Sequence, residues 1–290
     1  MNKIILRYLN NIAEIEPNDG ARLSRLVLNG QDVIKYPLKE GDTQKGYPSA
    51  ILFPFPNRIK DGKYTYQGKV YKLKTNDLQS MNAIHGLVAF EPFEIVDLHE
   101  NEVTLKYIYA GENEGYPFPF ILKVNYKLSK DSLSLTATAV NNGHETMPYG
   151  FGWHPYFSFD GQKVSNYFLS APERERFILN DRKLPTGDIE DVEINDFSLE
   201  NLILDDVHRI SDKVTEAETV LTWKTKKLTI SHQSSMEKLK YLVLYIPTTR
   251  DCVAIEPQTC CTNSFNTEEG LLFLKPGEKS TFKIDVRLEG

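Results

Sequence analysis

Leu122-Lys123-Val124-Asn125-Tyr126-Lys127-Leu128-Ser129-Lys130-Asp131-Ser132-Leu133-Ser134-Leu135-Thr136-Ala137-Thr138-Ala139 carries the fold class in its spacing. Leu122, Val124, Tyr126 and Leu128 alternate with Lys123, Asn125 and Lys127. A period of two puts the apolar set on one face of a half-buried strand. Leu133, Leu135, Ala137 and Ala139 repeat the pattern against Ser132, Ser134, Thr136 and Thr138, and Ser129-Lys130-Asp131 between the runs has the composition of a hairpin turn. Outward from this pair, Phe282, Ile284, Val286 and Leu288 alternate with Lys283, Asp285 and Arg287 just after the turn Lys275-Pro276-Gly277-Glu278, which makes a closing strand. Comparable runs lie at 64–73, 103–109, 220–231 and 239–246, separated by Gly, Asn, Asp and Pro clusters. No long 3.6-residue periodicity competes, so the chain is expected to be all-β, a large antiparallel β-sandwich. The interval 177–212, rich in Asp, Glu and Asn, is expected to be an excursion of loops.

Length and composition set the bounds. A chain of 290 residues with 40% hydrophobic content can bury a large core. With no internal repeat or linker-like stretch, residues 1–290 are expected to form a single domain. The formal charge of -6, with both signs interspersed and no basic run, provides no track for a phosphate backbone, so nucleic acid is not an expected partner. The apolar run in Met1-Asn2-Lys3-Ile4-Ile5-Leu6-Arg7 is too short for a signal peptide, and no later segment approaches membrane-spanning length. A soluble, cytoplasmic protein is expected. The three cysteines, Cys252, Cys260 and Cys261, are odd in number, lack zinc-site or disulfide spacing, and read as buried thiols in a reducing compartment.

Four segments set an ionisable side chain among Gly, Pro, Asn or aromatic residues: Phe55-Pro56-Asn57-Arg58-Ile59, Asn82-Ala83-Ile84-His85-Gly86, Gly152-Trp153-His154-Pro155-Tyr156-Phe157 and Ile255-Glu256-Pro257-Gln258-Thr259. Each alone has a structural reading: a His among aromatics as a satisfied core residue, an Arg beside Asn as a loop anchor. Glu256 closes the apolar run from Cys252 to Ile255, where an ionised carboxylate needs partners or water.

Taken together and in this order, the segments resemble the aldose 1-epimerase (galactose mutarotase) family, from about Asn18 to the C-terminus. The frame matches too, in Lys63-Tyr64-Thr65-Tyr66-Gln67-Gly68-Lys69 and Leu274-Lys275-Pro276-Gly277-Glu278. The resemblance implies a galactose mutarotase-like β-supersandwich whose concave face binds a monosaccharide of glucose or galactose type. It also implies an isomerase that interconverts α and β anomers. Anomers invert only by ring opening: a base removes the C1 hydroxyl proton while an acid protonates the ring oxygen as the C1–O5 bond breaks, for which one carboxylate and one imidazolium suffice. The chemistry calls for no cofactor, and the chain has neither a Gly-rich dinucleotide fingerprint nor a P-loop.

By that resemblance Glu256 aligns with the general base and His154 with the general acid. His85 is the second imidazole near the ring oxygen. Arg58, with Asn57 beside it, holds sugar hydroxyls and supplies positive field. A binding carboxylate falls in Leu204-Asp205-Asp206-Val207-His208, with Asp205 preferred over Asp206. Trp153, Tyr156 and Phe157 read either as an aromatic wall for the sugar, Trp153 foremost, or as sandwich core; Trp223 reads as core.

Three other readings compete. A non-catalytic carbohydrate-binding protein on the same scaffold would be favoured by loss of the Glu or the acidic His, and both are present. A metal site from His85, His154 and Glu256 lacks the usual His-x-His and HExxH spacings, so no metal is expected. Hexose-6-phosphate epimerases of related fold place an Arg shortly after the His-Gly pair, where this chain has Leu87-Val88-Ala89-Phe90. A neutral sugar is therefore preferred. Leu87 and Pro155 stand where galactose mutarotases have Gly and Thr, which leaves the preferred aldose open.

Overall fold

A computed structural model describes residues 3–34, 46–192, 195–235 and 237–290. Met1 and Asn2 of the N-terminal segment lie outside the described residues. The stretch 122–139 forms the hairpin of Phe120–Leu128 with Ser132–Asn141, and Leu128 faces Leu133 across the turn. Leu122, Val124, Tyr126 and Leu128 are each fully buried, and burial of one such side chain contributes roughly 1.5–3 kcal/mol.

This hairpin lies within a nine-stranded antiparallel sheet. Its order is Glu94–Leu98, Glu102–Tyr109, Phe120–Leu128, Ser132–Asn141, Lys279–Glu289, Lys226–Gln233, Glu216–Trp223, Phe168–Ser170 and Asp196–Ser198. The closing strand Lys279–Glu289 thus sits in the interior of the sheet, between Ser132–Asn141 and Lys226–Gln233. A second, eight-stranded antiparallel sheet runs Pro185–Asp191, Arg174–Leu179, Asp205–Ile210, Tyr241–Tyr245, Val253–Gln258, Gly152–His154 and Ala50–Leu52, with Tyr156–Phe157 also paired to Val253–Gln258. The apolar faces of both sheets meet in one core, where Phe151 stacks on Phe282 at 5.1 Å and Phe53 meets Phe120 edge-on at 4.7 Å. Among the described residues, no helix is long and apolar enough to cross a membrane.

The interval 177–212 corrects an expectation. It carries the end of Arg174–Leu179, all of Pro185–Asp191 and Asp196–Ser198, and Asp205–Ile210. Apolar alternation is missing there because Pro185–Asp191 is an edge strand exposed along nearly its whole length. Its pairing with Arg174–Leu179 is supported instead by a cross-strand charge pair, Arg176 with Glu190, and the next ladder, to Asp205–Ile210, by Arg209 with Glu175.

Candidate active site

Strand parity builds the site. In the eight-stranded sheet Leu242, Leu244, Val253 and Ile255 enter the core, so Val243, Tyr245, Ala254 and Glu256 face the other way. Register then carries the same outer face across the sheet, with Val243 opposite Glu256 and Tyr245 opposite Asp205. One strand further on, Trp153 pairs with Ile51 on the core side and His154 with Ala50 on the outer side. That outer face floors a cavity of about 830 Å³, a size typical of small-molecule sites.

The cavity gathers Asn57, Arg58, His85, His154, Asp205 and Glu256. Trp153 is not among its lining residues: it is fully buried in the core, 6.2 Å from Phe157 in an edge-on contact, because its neighbour His154 takes the outward position on a short strand. Phe157 is core as well. The aromatic lining comes from Tyr47, Phe90, Tyr156 and Tyr245. Trp223 packs partly buried against the core, stacked on Phe159 at 5.7 Å. Asp205 lines the cavity, whereas Asp206, one residue on, is paired with Leu244 and takes the opposite face.

Arg58 and His85 are placed by backbone geometry that few residues tolerate. Arg58–Lys60 pairs with Asn82–Ile84, and Asn57 and His85 flank this ladder with φ of +54° and +64°. The His85 N–H donates to the Asn57 carbonyl at 3.0 Å, and the Asn57 N–H donates to His85 Nδ1 at 3.3 Å. With Nδ1 accepting, the proton of the neutral ring belongs on Nε2, so the other nitrogen is a donor. Gly86 follows at φ +75°, where an added Cβ would lie 2.2 Å from the Phe53 carbonyl oxygen. Glycine at position 86 is thus dictated by the closeness of the Phe53 backbone. Arg58 Nε donates to Asp77 Oδ2 at 2.7 Å and Nη1 to Asn57 Oδ1 at 3.3 Å, which leaves the remaining fork toward the cavity.

Glu256 and His154 are the buried pair, 2% and 8% exposed in their side chains, with His154 Nε2 3.4 Å from Glu256 Oε1. The His85 ring lies edge-on to His154 at 5.2 Å between centroids. Burial pushes the Glu256 carboxyl well above its ordinary range, with nearby Asp205 adding to it and a 3.1 Å hydrogen bond from Gln258 opposing it. Burial pulls His154 down to about 4, and lowers His85 well below the ordinary imidazole value with help from His154 and Arg58. Burial therefore works against the imidazolium expected of His154 in the open cavity. The cause is the desolvation that comes with placing it on the cavity floor.

Sequence reasoning passed over Asp77, the partner of Arg58; Asn76, whose Nδ2 donates to Tyr47 Oη at 2.9 Å; and Lys183, 2.6 Å from Asp205. Asn76 and Asp77 lay near a motif, six and five residues before Asn82, and Lys183 belongs to the interval read as loops. Among the described residues no cluster of three or more His, Cys, Asp and Glu side chains is arranged to hold a metal ion.

Residues 12–287 match the aldose 1-epimerase family model. The chain is 29% identical over 271 residues to the uncharacterized protein YihR of Escherichia coli, covering 89% of this chain and 84% of that one. It is 30% identical over 169 residues to the galactose mutarotase of Sus scrofa, a match spanning 56% of this chain and 48% of that protein. In structure it is similar to a galactose mutarotase-like protein from Clostridium acetobutylicum, with a TM-score of 0.87 and 25% identity over 99% of this chain and 95% of that one. A GalM/aldose epimerase homologue from C. elegans has a TM-score of 0.85 at 19% identity, covering 99% and 98% of the two chains, which reflects a shared fold. The chain belongs to the aldose 1-epimerase family, which makes it an isomerase.

Proposed function

We propose that this protein interconverts the α and β anomers of a free, unphosphorylated aldohexose by acid–base ring opening and closure. The observation that carries the reading is the buried Glu256–His154 pair, 3.4 Å apart on the floor of a sugar-sized cavity. Glu256 as carboxylate takes the C1 hydroxyl proton, and protonated His154 delivers a proton to the ring oxygen as C1–O5 breaks. The aldehyde turns about C1–C2, and the two groups exchange roles on reclosure. The carboxylate–imidazolium pair and the neutral acid–imidazole pair hold the same single proton. Burial favours the neutral arrangement in the open cavity, and transfer of that proton to His154, with Arg58 stabilising the carboxylate, generates the reactive one. His85 donates from Nε2 toward the ring oxygen, while Arg58, Asn57 and Asp205 hold hydroxyls.

The charge of the lining supports a neutral sugar. Among the described residues, the cations of the lining, Arg58 and Lys183, are each paired with a carboxylate, Asp77 and Asp205, and two further carboxyl groups, Asp181 and Glu256, line the same cavity. Among these described residues a phosphate dianion would meet net negative surroundings. The deciding experiment is polarimetry or proton NMR of freshly dissolved α-D-glucose and α-D-galactose with and without enzyme, and the same with glucose 6-phosphate. Faster anomerisation of a neutral hexose is expected, undiminished by EDTA. A higher kcat/KM for glucose 6-phosphate would favour the phosphate reading, and binding without acceleration would favour a carbohydrate-binding protein.

A further inference from the structure

The hairpin tip between Arg174–Leu179 and Pro185–Asp191 introduces a cation that none of the four motifs contains. Lys183, at φ +58°, brings its ammonium 2.6 Å from Asp205 Oδ2, and both side chains line the cavity. Asp205 occupies one of three ammonium donors, leaving the others for oxygens of a ligand. The preceding residue, Arg182, does not line the cavity; it fastens the tip to the opposite rim. Its Nε donates to the Ser80 carbonyl at 2.9 Å, and Nη2 to Asp61 Oδ1 at 2.7 Å, Asn82 Oδ1 at 3.0 Å and the Met81 carbonyl at 3.2 Å. Asn82 Nδ2 returns a bond to the Arg182 carbonyl at 3.2 Å. A tip of an exposed edge hairpin has little burial to hold it, and a planar fork engaging several oxygens at once fixes it in a way that an ammonium would not.

We propose that Lys183 contacts the sugar at hydroxyls away from C1, and that Arg182 is a positioning residue that acts through it. The inference rests on the reading of the cavity as an aldohexose site. It is distinguished from a purely electrostatic role by the sign of the effect. If Lys183 merely occupied Asp205, its removal would free a carboxylate to accept from the sugar, and binding would hold or tighten. If Lys183 donates to the sugar, binding weakens. The ion pair is about 40% exposed on each side, so the fold gains little from it and thermal stability is expected to change little.

The test compares wild type, Lys183→Met, Arg182→Ala and the double variant, with KM and kcat from NMR exchange and Kd for glucose and galactose from calorimetry. Lys183→Met is expected to raise KM and Kd about tenfold for the preferred sugar with kcat within about twofold, the loss of one charged hydrogen bond made equally in ground and transition states. Arg182→Ala is expected to raise them about fivefold alone and by no more than about twofold on top of Lys183→Met, since residues acting through one contact do not add. Unchanged or lower KM and Kd in Lys183→Met would overturn the proposal, as would full additivity of the two variants. A wild type that binds sugar without anomerising it would instead overturn the enzymatic reading, and Kd would still decide on Lys183.

Discussion

Burial acts on Glu256 and His154 in opposite directions, raising the carboxyl and lowering the imidazole to about 4. Both shifts favour uncharged groups, an arrangement in which the single shared proton sits on Glu256. The pH dependence follows from counting protons. As pH falls through about 4, His154 takes a second proton and the pair loses its base; as pH rises through the elevated value of Glu256, the pair loses its only proton and with it the acid. Activity as kcat/KM is expected to hold between these limits, which belong to the coupled pair. Nitrogen NMR of the ring checks the low side directly: His154 should remain neutral at pH 6, and a charged ring there would mean that the pair rests in its charged, reactive form rather than the neutral one. Substitution tests the roles themselves. Glu256→Gln keeps size and hydrogen-bonding reach but removes the acceptor, so kcat should fall by roughly two to four orders of magnitude. Asp205→Asn should chiefly raise KM by weakening a ground-state contact. Retention of more than about a tenth of wild-type kcat in Glu256→Gln would move the search for the base to Asp205.

At the scale of elements, the site depends on two backbone facts: the outward parity of Gly152–His154 and Val253–Gln258, and the left-handed turn at His85-Gly86. The second gives a sharp expectation. Gly86→Ala would set a methyl against the Phe53 carbonyl at a φ that alanine resists, costing about 2 kcal/mol or more and displacing His85. A lowered Tm with a loss of activity larger than that of a core variant of equal Tm is the outcome to look for. These elements also mark what the sequence reveals. The hairpin 122–139 was legible residue by residue because one of its faces is polar. The segments holding Arg58, His85, His154 and Glu256 stand out because special residues surround them. The side taken by Trp153 was not legible, since Gly152–His154 is buried on both faces and alternation leaves no polar trace. Lys183 was hidden for the opposite reason: its hairpin is so exposed that charge pairs, rather than apolar spacing, define the strands.

For the molecule as a whole, the threading of the chain determines how it should unfold. One core draws on residues from Ile4 to Leu288 and on both large sheets. Lys279–Glu289, among the last residues, lies between Ser132–Asn141 and Lys226–Gln233, so no cut between Leu98 and Lys279 yields a piece that keeps all nine strands. We therefore expect the chain to unfold as one cooperative unit. The two tryptophans allow a direct test, because Trp153 belongs to the eight-stranded sheet and Trp223 to the nine-stranded one. Trp153→Phe and Trp223→Phe each leave a single tryptophan, whose selectively excited fluorescence reports on one sheet. In urea, each variant's fluorescence should follow its own far-UV circular dichroism with the same midpoint and slope, since coincident transitions are the mark of two-state unfolding. A fluorescence midpoint separated from the dichroism midpoint in either variant would mean that the sheets unfold independently. The shared core, with Phe151 stacked on Phe282 and Phe53 against Phe120 across the sandwich, argues for coincidence: releasing either sheet would strip the other of its packing partners.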